Sequence, residues 1–355
     1  MPSIDRQAPP PAASQPDILA ALGWRPFFAD QVEAGSNDGA QPVRVVEAHR
    51  GALHVLGEGV DRIIPGRADV VVGDWLLLDP VEAAEPATSR LLERKSLIKR
   101  RAPGLERQVQ MIAANIDTAF IVSSCNQDFN VARLERYIAL AFEAGVTPVV
   151  LLTKADLCDD PAAYVEAAQA IAHLAPVLVL NARLADAQST LATWCAPGQT
   201  VAFLGSSGVG KSTLANTLAG NEAIETQAIR EGDAKGRHTT TRRQLHLPAG
   251  GYAILDTPGM RELQLTGAEA GVAEVFADLH ALAGQCRFND CQHRTEPGCA
   301  VRAGVGHGSI ENARLERWMK LVAEDKHNTA NLTPGKANTA ATRKADRRMR
   351  KKSRS

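Results

Sequence analysis

An eight-residue loop near the middle of the chain restricts the possible folds more than any other part of the sequence. Its residues match the pattern G-x-x-x-x-G-K-[ST] and are Gly205, Ser206, Ser207, Gly208, Val209, Gly210, Lys211 and Ser212. The loop directly follows an apolar strand candidate, Val201 to Leu204, and directly precedes a helix candidate, Thr213 to Leu218. This order of strand, loop and helix is the context that a phosphate-binding loop requires.

The residue types in the loop fit a nucleoside triphosphate bound together with Mg²⁺. Glycines let backbone N–H groups point inward at an anion, and the N-terminus of the following helix adds positive potential. Lys211 is expected to reach the β- and γ-phosphates, while the hydroxyl of Ser212 binds Mg²⁺. We therefore predict that residues 205–213, including Thr213, bind the nucleotide.

A second motif, Asp256-Thr257-Pro258-Gly259, follows the short apolar strand candidate Tyr252 to Leu255. Asp256 would then lie beside the phosphate loop and hold the metal ion through water, while the N–H of Gly259 meets the γ-phosphate. Alone, D-x-x-G is a common turn. Its position after a phosphate-loop strand favours a switch that senses the third phosphate.

A third motif, Thr153-Lys154-Ala155-Asp156, resembles the N-K-x-D element with which GTPases read the base. A carboxylate at Asp156 can accept hydrogen bonds from N1–H and the N2 amino group of guanine. Adenine has neither donor there, so Asp156 would select GTP over ATP. Thr153 stands in place of the usual Asn and drops an amide that braces the phosphate loop. Asn181 and Ala182 are weaker candidates for backbone contacts to the base.

These motifs occur in an unusual order, because the base reader precedes the phosphate loop, whereas most GTPases place it last. A doubly wound sheet tolerates this rearrangement, since its sites lie at strand ends and not along the chain. Apolar strands also alternate with helical patterns from about Val109 onwards, which is typical of a parallel sheet. We therefore predict a circularly permuted P-loop GTPase core over 106–272.

Candidate catalytic residues lie in the polar segment from Gly232 to Arg243, where a first switch is expected. One of its three consecutive threonines should close on Mg²⁺, and we favour Thr240 without the sequence deciding between them. Met260 follows D-x-x-G where many GTPases have glutamine, and a thioether cannot orient a nucleophilic water. His238 or a partner macromolecule is our hypothesis for the missing group; a purely structural role for His238 is the alternative.

Four potential metal ligands lie within fourteen residues, in the spacing C-x₄-C-x-H-x₅-C. They are Cys286, Cys291, His293 and Cys299. Three thiolates and an imidazole suit a closed tetrahedral Zn²⁺ site, which is structural because no position is left for water. A set of buried thiols is the simpler alternative.

The remaining segments differ in composition. Residues 1–41 are rich in Pro, Ala and Gly, so we expect a disordered leader. Short β-branched runs broken by turns over 42–105 predict a small barrel, with the five-stranded OB type as one option. Residues 273–325 combine the Cys/His cluster with an amphipathic helix, which predicts a mostly helical zinc-binding domain. The predicted fold class is thus multidomain α/β.

Charge is unevenly distributed along the chain. The 40 basic and 40 acidic side chains sum to zero, but residues 326–355 carry a net charge of +9 and the remainder −9. We predict a disordered basic tail there. Basic residues also crowd the last strand of the predicted barrel, at Arg94, Lys95, Lys99, Arg100 and Arg101. Both stretches are compatible with RNA or with a solvated surface.

The apolar runs are too short to span a bilayer, and the first sixteen residues contain no apolar signal core. With 45% hydrophobic and 23% charged residues, the composition is that of a globular protein. We expect a cytoplasmic monomer without a membrane partner.

The motif order and the Cys/His spacing together resemble those of the ribosome small subunit-dependent GTPase A family, over about residues 42–325. The resemblance implies an N-terminal OB fold, a permuted GTPase core with bound GTP, and one structural Zn²⁺. It also implies late maturation of the 30S subunit through contacts with its 16S rRNA, with GTP hydrolysis stimulated by that subunit. Two other interpretations stay open, namely a protein-partner switch that docks through the zinc domain and an RNA-binding protein with a degenerate nucleotide site.

Overall fold

The structure is a computed structural model. It describes residues 17–32, 39–49, 51–79, 89–101, 109–171, 173, 175–183, 186–220, 243–256 and 265–330. Most of the basic tail (331–355), most of the first switch and the segment after Asp256 therefore lie outside the described residues. Residues 326–330, which we expected to begin the disordered tail, are instead the last residues of a helix that ends at Ala330.

Part of the expected leader is folded, contrary to our prediction of disorder over 1–41. Residues 17–32 contain two short helices, α1 (Ile18–Ala21) and α2 (Pro26–Ala29). Leu22 and Phe28 are buried, and the ring of Trp24 lies 4.8 Å from that of Trp75. Helices of four residues are too short to show a helical period of apolar residues, so the sequence did not predict them. Residues 1–16 lie outside the described part.

The following region is antiparallel. Its strands are β1 (Gln41–His49), β2 (Ala52–Gly57), β3 (Val60–Pro65), β4 (Trp75–Leu78) and β5 (Arg90–Leu91). β1 pairs with both β2 and β4, β2 with β3, and β4 with β5. Alternate apolar side chains of β1 and β2 point into one core with Leu76. The closed OB-type barrel stays a prediction.

Two further strands cross the boundary that we expected at residue 105. They are β6 (Leu97–Arg101) and β7 (Val109–Ala114), which form a separate antiparallel pair. Residues 91–99 are divided between the end of β5 and the start of β6.

The central region has the α/β architecture that the motifs predicted. Its strands are β8 (Thr118–Ser124), β9 (Thr147–Thr153), β10 (Val177–Val179), β11 (Thr200–Leu204), β12 (Arg243–His246) and β13 (Ala253–Asp256). Its helices are α3 (Val131–Glu143), α4 (Pro161–Ile171), α5 (Asp186–Leu191) and α6 (Lys211–Ala219). Five strands run parallel in the order β10-β9-β8-β11-β13, and β12 is antiparallel to β13.

Strand β12 joins this sheet to the N-terminal one. Its residues Arg243 and Gln244 pair with Ala48 and Glu47 of β1, so that a single eleven-stranded sheet runs through both regions. The apolar side chains of β8, β9 and β11 are buried on both faces of the sheet. The phosphate loop leaves β11 at the centre of this rigid scaffold, which is where ligands bind in open α/β sheets.

The described C-terminal region contains helices joined by turns. The helices are α7 (Glu269–Val275), α8 (Ala277–Ala283), α9 (Ala300–Gly306) and α10 (Asn312–Ala330). Leu315, Trp318 and Leu321 bury one face of α10 against this region. No helix among the described residues is both long enough and apolar enough to cross a membrane.

Candidate functional site

The phosphate loop connects β11 directly to α6, and its backbone requires glycine at specific points. Gly205 has a φ of 142°, and a Cβ there would lie 2.3 Å from the carbonyl oxygen of Val122 on the neighbouring strand β8. Gly210, with a φ of 101°, precedes the first turn of α6. These conformations are ones that side chains other than glycine rarely adopt. The glycine spacing of the motif is therefore a requirement of the loop's own geometry.

Lys211 folds back over the loop. Its Nζ donates to the carbonyl oxygen of Gly205 at 2.8 Å and also to that of Ser206. The ammonium group thus lies over the loop backbone, where it can exchange carbonyl oxygens for phosphate oxygens.

The hydroxyl of Thr153 braces the phosphate loop, which corrects our expectation that losing the usual Asn removes this support. Thr153 ends β9 and is fully buried. Its Oγ1 lies 2.6 Å from the carbonyl oxygen of Val209, to which it donates, and 3.2 Å from that of Ser123. A hydroxyl can make this contact because β9 and the loop lie close together. Thr153 is therefore a positioning residue of the site.

The predicted base-reading elements lie beside the loop. Lys154 has the left-handed φ of 58° and leads into a 3₁₀ turn, Ala155–Leu157, which leaves Asp156 exposed at the surface. Ala182 is also adjacent, because Oγ1 of Thr217 on α6 donates to its carbonyl oxygen at 2.8 Å. Two segments far from the phosphate loop in sequence are thus brought together at one edge of the sheet.

An open pocket of about 480 Å³ lies beside α6. It is lined by Arg183, Ser212, Thr213, Asn216 and Thr217. Its volume is within the usual range for small-molecule sites, about 300–1,000 Å³. The motifs indicated only Ser212 and Thr213; Arg183, Asn216 and Thr217 were missed because they belong to no recognised pattern.

Several predicted residues cannot be placed in this site. His238, Thr240, Gly259 and Met260 lie outside the described residues. Asp256 ends β13, where its backbone pairs with that of Gln244. The end of β13 lies next to β11 in the sheet, as the D-x-x-G interpretation requires.

A basic side chain that no motif indicated contacts the phosphate loop. Arg133, in the first turn of α3, donates through Nη1 to Oγ of Ser206 and to Oδ1 of Asp128, the latter at 2.9 Å. A local sequence signal could not have revealed this contact, because Arg133 and Ser206 are 73 positions apart.

Most of the basic crowding in the barrel segment has a structural explanation. Arg94 pairs with fully buried Asp74 at 2.7 Å, and Lys95 pairs with Asp117 at 3.2 Å. The hydrogen bonds that Arg94 donates to the carboxylate of Asp74 raise the pKa of Arg94. Lys99 is exposed, and Arg100 donates to Gln110. The positive surface that this segment offers to a partner is therefore smaller than the sequence indicated.

The four predicted zinc ligands converge. The ligand atoms of Cys286, Cys291, His293 and Cys299 all lie within 4.8 Å of one another. Nδ1 of His293 lies 3.6 Å from Sγ of Cys286 and 3.5 Å from Sγ of Cys299, and these two sulfurs are 3.9 Å apart. A tetrahedral zinc ion has edges of about 3.6 Å between nitrogen and sulfur and about 3.8 Å between sulfurs, so the cluster fits one.

The surrounding residues support this cluster. Burial would raise the pKa of the Cys286 thiol, but hydrogen bonds from the backbone amides of Val301 and Ala300 lower it overall, which favours a thiolate ligand. The ring of His293 packs against Trp318 of α10, with centroids 5.2 Å apart. Backbone amides around the loop, that of Gln292 among them, donate to Glu296 and lower its pKa to about 2.

The chain is similar along most of its length to curated bacterial proteins. It is 51% identical over 325 residues to "Small ribosomal subunit biogenesis GTPase RsgA" of Mesorhizobium japonicum, which covers 89% of this chain and 92% of that protein. The chain belongs to the RsgA GTPase family. The family model for RsgA GTPase matches residues 91–266, and a relative from Vibrio parahaemolyticus is 48% identical over 90% of this chain and 89% of its own.

Two solved structures have a similar fold. Thermotoga maritima YjeQ has a TM-score of 0.58 at 24% identity and covers 80% of this chain and 98% of its own. YloQ, described as a circularly permuted GTPase, has a TM-score of 0.56 at 22% identity, covering 84% and 99%. Membership of the RsgA family makes this chain a GTP hydrolase, and the permuted order of its motifs is confirmed.

Proposed function

We propose that this GTPase assists late maturation of the small ribosomal subunit in the cytoplasm and that the 30S subunit stimulates its GTP hydrolysis. The observation that carries the proposal is the 51% identity to a relative that is named for small ribosomal subunit biogenesis. The alignment covers 92% of that relative. The intact phosphate loop beside the base-reading turn supports it, because a degenerate nucleotide site would not retain this arrangement. The protein-partner switch is not favoured, since the relatives' names give ribosome biogenesis instead.

The nucleotide is proposed to bind with its phosphates over residues 205–213 and its guanine against Asp156. Ser212 would hold Mg²⁺ directly and Asp256 would hold it through water; bound there, the ion offsets the charge on the phosphates. Thr153, Lys154 and Ala155 would position the base. Thr240 and Gly259 would sense the γ-phosphate, and His238 would orient the hydrolytic water.

The Cys/His cluster is proposed to hold one structural Zn²⁺ through Cys286, Cys291, His293 and Cys299. Four protein ligands leave no open position, so the ion would fix the loop between α8 and α9. We expect Cys299→Ser to lower the bound zinc of the purified full chain from about one ion per chain to well below half, since a closed site loses a quarter of its ligands. Cys195→Ser, at a buried cysteine outside the cluster, is the matched control and should leave the zinc content unchanged.

Contacts with 16S rRNA are proposed for the OB-type N-terminal region and for the basic tail, residues 326–355. Such contacts would be sensitive to salt, because binding to phosphates releases counterions. We further propose that the protein acts as a monomer.

The test is GTP turnover by the purified full chain with 30S subunits, with 50S subunits and with no ribosomal particle. We expect strong stimulation by 30S subunits alone. Equal turnover in all three reactions would contradict the proposed function. Lys211→Ala is the control for contaminating GTPases and should abolish turnover in every reaction.

A further inference from the structure

We propose that Arg133 is a positioning residue, which holds the second residue of the phosphate loop in its nucleotide-binding conformation. The guanidinium of Arg133 donates to the hydroxyl of Ser206, and Asp128 fixes the same nitrogen at 2.9 Å. The proposal rests on the proposed GTP binding at this loop. It adds a residue that belongs to neither the phosphate loop nor the base-reading element.

The backbone before α3 is ordered so that Arg133 is directed toward the loop. Oδ1 of Asn126 accepts hydrogen bonds from Oγ of Ser124 at 2.8 Å and from the backbone N–H of Asp128 at 3.0 Å. Asn130 then caps α3 by accepting from the N–H of Arg133 at 2.9 Å. These contacts fix the first turn of α3, and the planar guanidinium extends from a fixed point.

Ser206 is held from two sides. Its hydroxyl accepts from Arg133, and its carbonyl oxygen accepts from Nζ of Lys211. When Lys211 exchanges that carbonyl for a phosphate oxygen, the Arg133 contact still holds the residue. A loop that stays in place binds its ligand without first losing conformational entropy, which is how a preformed site gains affinity.

The pair of Arg133 with Asp128 could by itself be a contact that only stabilises the start of α3. Both side chains are about one-third exposed, at 35% and 37%, so the ion pair contributes little to stability. A role in α3 alone predicts a change in unfolding and none in nucleotide affinity. A positioning role predicts a loss of affinity that depends on the hydroxyl of Ser206.

The experiment measures dissociation constants of the full chain for fluorescent GDP and for a non-hydrolysable GTP analogue. The variants are Arg133→Ala, Arg133→Lys, Ser206→Ala and the double variant Arg133→Ala/Ser206→Ala. We expect Arg133→Ala to weaken both nucleotides about five- to tenfold, since hydrogen bonds with a charged partner are among the stronger ones. The double variant should bind no more weakly than Ser206→Ala alone, and Arg133→Lys should recover part of the loss.

Arg136→Ala is the matched control, because Arg136 lies on the same helix and pairs with Glu324 of α10 instead. Its affinities should stay within about twofold of the native chain. Unchanged affinities for Arg133→Ala overturn the inference. The inference is also overturned if Arg133→Ala weakens binding further in the Ser206→Ala background. A loss of affinity for the GTP analogue alone overturns it as well, because that result would mean direct contact of Arg133 with the γ-phosphate. If the native chain binds neither nucleotide, the proposed function itself fails.

Discussion

The GTPase core is attached to its two neighbouring regions in different ways. On the N-terminal side the attachment is made by backbone, because β1 pairs with β12 and continues the central sheet. On the C-terminal side, helix α7 packs against α3, α10 packs against α7, and charged side chains join α3 to α10. The first attachment depends on hydrogen bonds between peptide groups, whereas the second adds ion pairs between α3 and α10 to the apolar packing of α7 on α3.

A buried arginine reinforces the N-terminal attachment. Arg44 of β1 is 1% exposed and donates to the carbonyl oxygens of Leu22, Gly73 and Asn115, which belong to three separate segments. Burial lowers its pKa to about 10, so it stays charged at neutral pH. From the folded leader, Arg25 adds an ion pair with Asp117 at 2.7 Å.

The C-terminal attachment surrounds one buried carboxylate. Glu135 of α3 is fully buried and accepts two hydrogen bonds from Nε of Arg317 on α10, at 3.1 and 2.9 Å. Arg314 lies 3.6 Å away, and Arg136, the next residue of α3 after Glu135, pairs with Glu324. Burial raises the pKa of Glu135 despite these arginines, so its charge is costly wherever a cation is missing.

The two attachments therefore differ in how they can respond to the nucleotide. The backbone attachment follows strand β12, which comes directly after the predicted first switch. The charged attachment lies on α3, whose first turn contacts the phosphate loop through Arg133. One helix, α3, thus contacts the phosphate loop at its first turn and α10 through Glu135 and Arg136.

The largest expected effect is at Arg44. Arg44→Met keeps the apolar stem but leaves the buried carbonyl oxygens of Leu22 and Asn115 without a donor, while that of Gly73 keeps the side-chain amide of Asn115. Each unsatisfied acceptor costs about 1–3 kcal/mol, so we expect a loss of about 3–5 kcal/mol in the free energy of opening β1 and β2, measured by native-state hydrogen exchange. Arg62→Met, at an exposed arginine of β3, should change the same quantity by less than about 0.5 kcal/mol. Native-like protection of β1 in Arg44→Met would show that the backbone ladder suffices.

The second effect is at the charged attachment. Arg317→Ala leaves Glu135 buried with only the more distant Arg314, and we expect α10 to lose about 2–3 kcal/mol of protection at pH 7. The loss should shrink as the pH is lowered from 7, because the raised pKa of Glu135 lets it take up a proton and lose the unpaired charge. Lys320→Ala, at an exposed residue of the same helix, is the control. A loss that is independent of pH would contradict this explanation.

The GTPase motifs predicted the core well because each is a short segment whose geometry is encoded locally. Gly205 and Gly210 adopt backbone conformations that favour glycine, and the zinc spacing places all four ligands on one loop and its flanks. The attachments could not be predicted in this way. Arg44 and Glu135 look like ordinary charged residues until partners 71 and 182 positions away are known.

The errors at single residues have the same origin. Comparison with the usual Asn predicts that Thr153 cannot support the phosphate loop. However, β9 lies so close to Val209 that the hydroxyl of Thr153 can donate the hydrogen bond that supports the loop. Composition predicts disorder for the leader. However, Leu22, Trp24 and Phe28 supply enough apolar surface for folding because they pack with Trp75 of β4. Burial that depends on a distant segment leaves no local pattern.

A smaller effect distinguishes the attachments without any mutation. Raising NaCl from about 0.1 M to about 1 M shortens the screening length from about 10 Å to about 3 Å. We expect faster hydrogen exchange in the α10 amides, by about two- to fivefold, because the Arg136–Glu324 and Arg314–Asp278 pairs are partly exposed. Exchange of the β1 amides should be unchanged. Equal acceleration in both elements would mean that the N-terminal attachment also depends on charge.

The smallest expected effect is at the Arg136–Glu324 pair itself. These side chains are 32% and 22% exposed, and pairs in such positions contribute about 0.2–1 kcal/mol. We expect Arg136→Ala and Glu324→Gln each to lower the protection of α10 by about 0.5 kcal/mol, and the double variant to lose no more than either single variant, because the two changes remove one interaction. Additive losses in hydrogen exchange would show that the residues act separately. The charged part of the C-terminal attachment would then depend on Glu135 and its arginines alone, beside the apolar packing of α7 on α3.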